Sequence, residues 1–507
     1  MEESCNSKSS NSNPLKIYFL PYPSPGHMNP MINLAQIFTT RGHHVTILTT
    51  PSNTKLIPNQ NKNKLNIHIL NFPSNNLNLN GIENLSSARD PQTALKIHIA
   101  TNLLIPQVQT FLQQNPPHVF VPDIMFSFSN LEIPVIPFDP MPIFVSCIFE
   151  AINNNPNVLS QSSLPFIVPG NLPHTITLPV NPSNEFHTLS RPVLNAKHNG
   201  KHHGIIVNSF VELEQEYIEY YQKVTGVKVW HIGITSLMMD HFNCCNGIGD
   251  DGGDGDGDGD GDGDACLSWL NSREANSVVY ICFGSLCRLN REQYMEIGRG
   301  IEASGKGFLW VVPEDDEEFC VVEESLSFKR GMVVRRWVNQ RLILKHHAIG
   351  GFLTHCGWNS VAEGICAGVP MITMPSVRRV YILEVNVSVI VGSSRSDNSD
   401  SDFKFSDQFL NERLVTEVLR IGVEVGGCEW SLSPFGARNK VVSRKRIEKA
   451  VRRVMEDGDS SMIRKRAKEM QDKACKAVQE VGSSCHNLTN LVQSLKQISL
   501  DRVLQTN

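Results

Sequence analysis

The chain has 507 residues, of which 40% are hydrophobic and 19% are charged, as in an ordinary globular protein long enough for two domains. Its formal net charge is −5 and it has no basic stripe, so nucleic-acid binding has no electrostatic support. The first residues are polar, and no apolar run approaches the roughly 20 residues of a membrane span, which predicts a cytoplasmic protein. The 13 cysteines show no disulfide or zinc pattern, which favours free thiols.

The first part of the chain has the strand and helix order of an α/β domain. Residues 15–21 form an apolar run that ends in a loop rich in Pro and Gly, and the pattern from Met31 to Phe38 then predicts a helix. Further strands are predicted at 43–51, 65–73 and 118–123, with a helical segment at 91–113.

Two polar side chains follow strands of this domain. His27 lies in the loop after the first strand, at the edge where open α/β sheets bind ligands, and Asp123 ends the strand at 118–123. A carboxylate there could accept a hydrogen bond from one imidazole nitrogen and leave the other as a base. From these residues alone, a solvated loop histidine and a helix N-capping aspartate remain open interpretations.

A linker is predicted in the middle of the chain. Residues 204–224 predict a strand and a helix, and residues 247–264 then repeat Gly and Asp. Glycine disfavours any fixed conformation and repeated Asp repels itself, so we expect a disordered linker. Calcium-binding nonapeptide repeats are a poor match, because they need interleaved apolar residues.

The second half repeats the α/β order. Strands are predicted at 277–285, 307–312, 331–338 and 348–353, with a helix from Arg291 to Ser304. After the last strand come His355, a Cys356-Gly357 turn and the start of a helix. Free backbone N–H groups and the helix dipole at such a turn favour a diphosphate.

Side chains around this turn suit the rest of a nucleotide. His355, Asn359 and Ser360 could donate further hydrogen bonds to the diphosphate. Glu363, one turn into the helix, could accept from the two hydroxyls of a ribose, and Trp337 offers a flat face for a base.

These residues resemble the signature of plant UDP-dependent glycosyltransferases. The matching positions are Trp337, Gln340, the run 355–360, Glu363-Gly364 and Ala367-Gly368-Val369-Pro370. The resemblance implies an α/β protein of two Rossmann-like domains that face each other across a cleft, the GT-B arrangement. It also implies a C-terminal helix that crosses back to the first domain.

The resemblance implies a role for each matching residue. In this family a histidine after the first strand is the general base and an aspartate serves it, which assigns His27 and Asp123. Trp337 would stack on uracil, and Gln340 with Glu363 would hold the ribose. The full set expected to bind the UDP-sugar is Ser285, Trp337, Val338, Gln340, His355, Trp358, Asn359, Ser360, Glu363, Asp407 and Gln408. Of these, Ser285 would touch the diphosphate, Trp358 would face the sugar, and Asp407-Gln408 would bond its hydroxyls.

The chain departs from the family pattern at two places. Ile133-Pro134 follows Asp123 early, so the helix expected after Asp123 is cut short. The signature is also interrupted after residue 377, where residues 378–404 are surplus before Asp407-Gln408 supply its end. The surplus is either a surface loop or an artefact of transcript assembly such as a retained intron. The residues on either side of the surplus together give the family pattern without a gap, which favours the artefact.

The predicted organisation is a disordered N-terminus at 1–14, an acceptor-binding domain at 15–240, a linker at 241–265, a UDP-sugar-binding domain at 266–480, and a C-terminal helix and tail at 481–507. The expected function is inverting O-glycosyl transfer, most simply of glucose, from a UDP-sugar to a hydroxyl of a flavonoid or triterpenoid-like plant metabolite. We expect no metal or other cofactor, no nucleic-acid partner, and a monomer. The alternative is a homologue that binds the UDP-sugar but transfers poorly because of the two departures.

Overall fold

A computed structural model of the protein describes residues 14–57, 65–128, 131–155, 165–178, 203–245, 262–285, 287, 289–314, 316–326, 328–375, 407–427, 441–456 and 458–506. The surplus segment 378–404, almost all of the predicted N-terminal segment and most of the Gly-Asp repeat lie outside these residues.

The β-strands are β1 Lys16–Leu20, β2 His44–Thr49, β3 Leu65–Ile69, β4 Val119–Pro122, β5 Phe138–Asp139, β6 Phe166–Ile167, β7 Thr177–Leu178, β8 Ile205–Val207, β9 Val229–His231, β10 Val278–Cys282, β11 Gly307–Val311, β12 Gly331–Val334, β13 Ile349–Thr354, β14 Met371–Thr373 and β15 Gly422–Glu424. The helices are α1 Pro25–Thr40, α2 Pro91–Asn102, α3 Ile105–Gln114, α4 Ile143–Asn153, α5 Val211–Thr225, α6 Thr235–Cys245, α7 Asp262–Asn271, α8 Arg291–Ser304, α9 Glu317–Ser325, α10 Gln340–Lys345, α11 Trp358–Ala367, α12 Gln408–Arg413, α13 Arg444–Met455, α14 Asp459–Ala477 and α15 Ser483–Thr506. Short 3₁₀ turns lie at Pro51–Leu56, Asn75–Leu77 and Leu85–Ser87, and a π-helical turn at Leu414–Val418.

The first half is built on parallel strands. One sheet has the order β3-β2-β1-β4 and a second the order β5-β8-β9. Single parallel bridges from Phe120 to Val135 and from Asp123 to Phe138 connect the two. The apolar faces of β1 and β4 are buried, with Ile17, Phe19 and Val121 fully enclosed. Strands covered on both faces explain the continuous apolar runs in the sequence.

The second half contains a six-stranded parallel sheet with the order β12-β11-β10-β13-β14-β15. Its central strands, β10 and β13, are buried along almost their whole length. Helices α8 and α13 pack on one face of this sheet, and α11 and α14 lie against each other. The predicted α/β fold with two Rossmann-like halves is confirmed.

The last helix belongs to the core of the first half. Leu488, Leu491 and Leu495 of α15 are buried in the same cluster as Ile17 and Phe38. The Asn487 side chain donates to the carbonyl of His231 at 3.1 Å, and Arg41 donates to Thr489 at 3.2 Å. The predicted crossing of the C-terminal helix is therefore confirmed. In the part of the chain that the structure describes, no helix combines the length and apolarity needed to cross a membrane.

Three predictions of local structure need correction. The linker range 241–265 is too wide, because α6 continues to Cys245 and α7 begins at Asp262. The helical segment 91–113 is two helices, since the chain breaks at Leu103-Leu104 before a new helix with Pro106 in its first turn. The segment after Asp123 is not a shortened helix, because residues 124–128 and 131–137 form turns and extended chain.

Glu214 joins three elements of the first half. It is 2% exposed, and its two carboxylate oxygens each accept a backbone N–H at 3.0 Å, from Ile143 and Phe144 at the start of α4. His231 Nε2 lies 3.1 Å from the same side chain. These N–H groups have no partner within their helix, so Glu214 caps α4 from another element.

Replacing Glu214 by Ala is expected to lower the free energy of unfolding by about 3 kcal/mol or more, because buried donors lose their acceptor. Chemical denaturation followed by circular dichroism measures the change. Glu219→Ala on an exposed position of the same helix is the control, with an expected effect of about 0.5 kcal/mol or less. Equal losses in the two variants would contradict the capping role.

Candidate active site

His27 and Asp123 lie at the carboxyl ends of neighbouring strands. Leu20 at the end of β1 pairs with Pro122 at the end of β4, so the chain leaves both strands at one edge. His27 Nδ1 lies 2.9 Å from Asp123 Oδ2. Asp123 is fully buried, and its other oxygen accepts the backbone N–H of Met125 at 2.9 Å. This bond orients the imidazole and directs Nε2 away from the carboxylate.

His27 is not in the loop after β1 as predicted. It is the third residue of α1, which begins at Pro25 after the N-cap Ser24. Proline is favoured at the first helical position because its missing N–H would have no partner there, which lets the helix begin early. The histidine is therefore held on a helix, with its side chain 21% exposed.

A second polar turn lies at the carboxyl ends of the central strands of the other sheet. Cys282 at the end of β10 pairs with Thr354 at the end of β13. Ser285 lies three residues after the end of β10 and is exposed, and His355 directly follows β13. Helix α11 then begins at Trp358 with Gly357 as its N-cap. The predicted strand, glycine turn and helix start are all present.

The His355 ring lies between two glycines. A Cβ on Gly284 would be 2.9 Å from His355 Nε2, and a Cβ on Gly357 would be 2.5 Å from the same atom. Burial lowers the pKa of His355 to about 4, so the ring is neutral at physiological pH. Nδ1 is buried and has no hydrogen-bond partner in the described residues.

Gln340 and Glu363 contact each other directly. Gln340 Nε2 donates to Glu363 Oε2 at 2.7 Å and lies 3.4 Å from Ser360 Oγ. The Tyr280 hydroxyl donates to Gln340 Oε1 at 3.3 Å. Burial raises the pKa of the Glu363 carboxyl, while the bond from Gln340 opposes the rise.

Trp337 and Val338 precede this pair in the chain. Trp337 is 72% exposed, so much of its ring surface is open, whereas Val338 is buried at 7%. Trp337 lies three residues before Gln340 in the chain, and its exposed indole offers a flat apolar face that a planar base could stack on.

Trp358 and Asn359 connect the two halves of the molecule. Trp358 Nε1 donates to the carbonyl of Asn208 at 2.9 Å, and Asn359 Nδ2 donates to the carbonyl of Gly26 at 3.2 Å. Trp358 is 4% exposed, so little of its indole surface is available for the predicted contact with a sugar. The bond from Asn359 places the start of α11 beside Gly26, the residue before His27.

Asp407 and Gln408 return to this turn after the surplus segment. Asn411 Nδ2 donates to Asp407 Oδ2 at 2.7 Å and to the carbonyl of Cys356 at 2.9 Å. Asn411 is fully buried, and Thr373 at the end of β14 donates to the neighbouring Glu412 at 2.9 Å. Asp407 and Gln408 thus lie at the start of a helix anchored to the Cys356-Gly357 turn.

Within the described ranges, no group of three or more His, Cys, Asp or Glu side chains is arranged to hold a metal ion. The residues that sequence reasoning missed are those that join the halves: Asn208, Gly26 and Asp240. Asn208 and Gly26 act through backbone carbonyls, which leave no signal in side-chain patterns. Asp240 on α6 binds Arg341 and Lys345 on α10, and its partners are about a hundred positions away in the sequence.

Comparison with known proteins agrees with this architecture. Residues 209–378 match the family described as UDP-glucoronosyl and UDP-glucosyl transferase. UDP-glucosyl transferase 73CC6 of Saponaria officinalis is 36% identical, over 97% of this chain and 98% of the relative. UDP-glucose flavonoid 3-O-glucosyltransferase 7 of Fragaria ananassa is 34% identical, over 97% of this chain and 98% of the relative.

Among solved structures, UGT73P12 of Glycyrrhiza uralensis, complexed with glycyrrhetinic acid 3-O-monoglucuronide, has a TM-score of 0.78. It is 30% identical to this chain, and the alignment covers 97% of this chain and 98% of that one. The similarity thus extends over nearly the full length, through both sheets and both polar turns. The chain belongs to the UDP-glycosyltransferase family.

Proposed function

We propose that the protein transfers glucose from UDP-glucose to a hydroxyl group of a flat or polycyclic plant metabolite, in the flavonoid or triterpenoid class. The observation that carries this proposal is the position of the His27–Asp123 pair. It lies against the start of α11 through the bond from Asn359 to Gly26. A base is thereby held next to the turn suited to a diphosphate.

In this mechanism His27 Nε2 takes the proton from the acceptor hydroxyl, and Asp123 stabilises the imidazolium that forms. The acceptor oxygen attacks the anomeric carbon as the bond from that carbon to the UDP oxygen breaks. Attack from the face opposite UDP inverts the configuration, through an oxocarbenium-like transition state. Burial of Asp123 keeps the pair ordered because water cannot compete for its oxygens.

UDP is the leaving group, and its diphosphate would lie at the N-terminus of α11. Backbone N–H groups there, with Ser360 and Asn359, offer donors for the developing negative charge. His355 would contribute a directed hydrogen bond, and the negative charge of a bound diphosphate would raise its pKa from the low value that burial gives the ligand-free ring. Glu363 and Gln340 would hold the ribose, Trp337 and Val338 the uracil, and Asp407 and Gln408 the sugar hydroxyls.

The class of acceptor rests on the relatives. The Fragaria ananassa protein is named for 3-O-glucosylation of flavonoids, and the Glycyrrhiza uralensis protein was solved with glycyrrhetinic acid 3-O-monoglucuronide. Both are similar to this chain over nearly its whole length. Incubation with several UDP-sugars and a mixed panel of aglycones, with mass-spectrometric detection of products, tests the proposal. UDP binding without any glycosylated product would favour the alternative of an impaired homologue.

Replacing His27 by Ala is expected to leave UDP affinity within about twofold and to lower transfer by the roughly 10² to 10⁴ typical of a lost general base. Steady-state product formation and calorimetric titration with UDP measure the two effects. Transfer at the wild-type rate would remove His27 from the mechanism.

Replacing Gly284 by Ala is expected to displace His355, because the added Cβ would lie 2.7 Å from His355 Cε1. UDP affinity should fall about tenfold or more, the loss of one well-placed hydrogen bond in a buried site. Gly226→Ala is the matched control, since Gly226 has a φ of 70° against 73° for Gly284 but no atom near its added Cβ. Unchanged UDP affinity in Gly284→Ala would argue against a role of His355 in binding the diphosphate.

Deleting residues 378–404 is expected to raise soluble yield and glucose transfer, because the segment contains the apolar, β-prone stretch 380–391, a composition that favours aggregation. The deletion should be tolerated, because the residues on both sides of the segment are anchored to one turn. The backbone N–H of Met374 donates to the carbonyl of Thr354, and the Asn411 side chain donates to the carbonyl of Cys356. Gln408→Ala in the deleted chain should then lower transfer more than UDP binding. An inactive deletion variant beside an active full-length chain would show that the segment is a working part of the enzyme.

A further inference from the structure

A cluster of three charged side chains joins the two halves beneath the predicted ribose site. Asp240 on α6 in the first half contacts Arg341 Nη1 through Oδ1 at 2.5 Å and Lys345 Nζ through Oδ2 at 2.9 Å. Both cations lie on α10 in the second half. Arg341 also donates to the carbonyl of Ser236 at 3.2 Å, so α10 is bound to both backbone and side chain of α6.

The cluster adjoins the residues expected to hold the ribose. Gln340 begins α10 and is next to Arg341 in the chain, and its amide donates to Glu363 at 2.7 Å. A small cavity of about 10 Å³ is lined by residues that include Asp240, Arg341, Lys345 and Glu363. The Glu363 carboxylate therefore lies close to two positive charges that a second carboxylate already binds.

Partial burial strengthens the electrostatic interactions between these side chains. The side chains of Asp240 and Arg341 are 20% and 23% exposed, so solvent screens their interaction less than that of a surface pair. The Coulomb interactions of Arg341 and Lys345 with Glu363 favour its ionised form, and that of Asp240 opposes it. Removing the charge of Asp240 would leave Arg341 attracted to Glu363, the carboxylate needed for the ribose hydroxyls.

Helix α6 is itself fixed to the start of α11. The backbone N–H of Thr235, the first residue of α6, donates to Asn208 Oδ1 at 2.9 Å. The carbonyl of the same Asn208 accepts the indole N–H of Trp358 at 2.9 Å. Both Asn208 and Thr235 are buried, at 2% and 1% exposed. Together with the Asp240 pairs and the bond from Gln340 to Glu363, these bonds connect α11, α6 and α10 in a closed ring of contacts of which Glu363 is a member.

We propose that Asp240 is a positioning residue for the sugar donor, which holds α10 in place and occupies Arg341 and Lys345 so that Glu363 stays directed at the ribose. A residue of the first half thus acts on nucleotide affinity without touching the nucleotide. The inference rests on the proposed function, since it requires that Gln340 and Glu363 bind the ribose of a UDP-sugar.

The test compares Asp240→Asn with the wild type and with Glu318→Gln. Glu318 forms an exposed ion pair with Arg291 at 3.2 Å and serves as a control for charge loss elsewhere in the second half. Calorimetry with UDP, steady-state kinetics with each substrate varied, and thermal unfolding are measured on the full-length protein. For Asp240→Asn we expect UDP affinity about tenfold weaker and KM for the UDP-sugar raised similarly, as for loss of one partner of a partly buried pair. KM for the acceptor should change less than about twofold, and Glu318→Gln should resemble the wild type.

A second comparison separates positioning from general destabilisation. If Asp240 acts through Glu363, then Asp240→Asn should add little to the loss of UDP affinity already caused by Glu363→Gln, because coupled residues give non-additive effects. Full additivity would overturn the proposed route. A loss of stability with equal effects on both substrates would also overturn it.

The wild-type titration separates failure of this inference from failure of the proposed function. A wild-type protein that binds no UDP would overturn both. A wild-type protein that binds UDP, with Asp240→Asn of equal affinity, would overturn only the role of Asp240.

Discussion

The arrangement of the site depends on the contact between the start of α11 and the first half of the molecule. Trp358 donates to the carbonyl of Asn208, and its neighbour Asn359 donates to the carbonyl of Gly26. A helix start that offers N–H groups to an anion is useful for transfer only if the base approaches the same point. These two bonds bring His27 to it. Each half alone would hold either the nucleotide turn or the base.

Much of this could be predicted from the sequence because parallel sheets impose simple rules. Apolar runs such as 348–353 indicate buried strands, and ligands gather where such strands end. His27, Asp123 and His355 each follow a strand, so their positions at the carboxyl ends of the strands could be predicted. Helix α8 has the bounds that its Asn290 cap and following Gly305 predict.

Other features could not be predicted, and each has a physical cause. The Asn208 and Gly26 acceptors are backbone carbonyls, which every residue carries. The place of Trp358 in the signature predicts a position at the sugar, but it does not predict that the buried indole also bonds to the carbonyl of Asn208. His27 was expected in a loop, because proline usually indicates a turn, whereas Pro25 begins α1. The Asp240 pairs depend on tertiary packing between helices far apart in the sequence.

The position of the last helix has a consequence for how the chain folds during synthesis. Helix α15 buries Leu488, Leu491 and Leu495 against the core of the first half, which includes Ile17 and Phe38. The first half therefore lacks part of its core until residues 488–495 have left the ribosome. Domains of most multidomain proteins complete folding in order as they emerge, starting at the N-terminus. Here the half made first is completed only after the second half has been made, because its core combines residues from before and after that half.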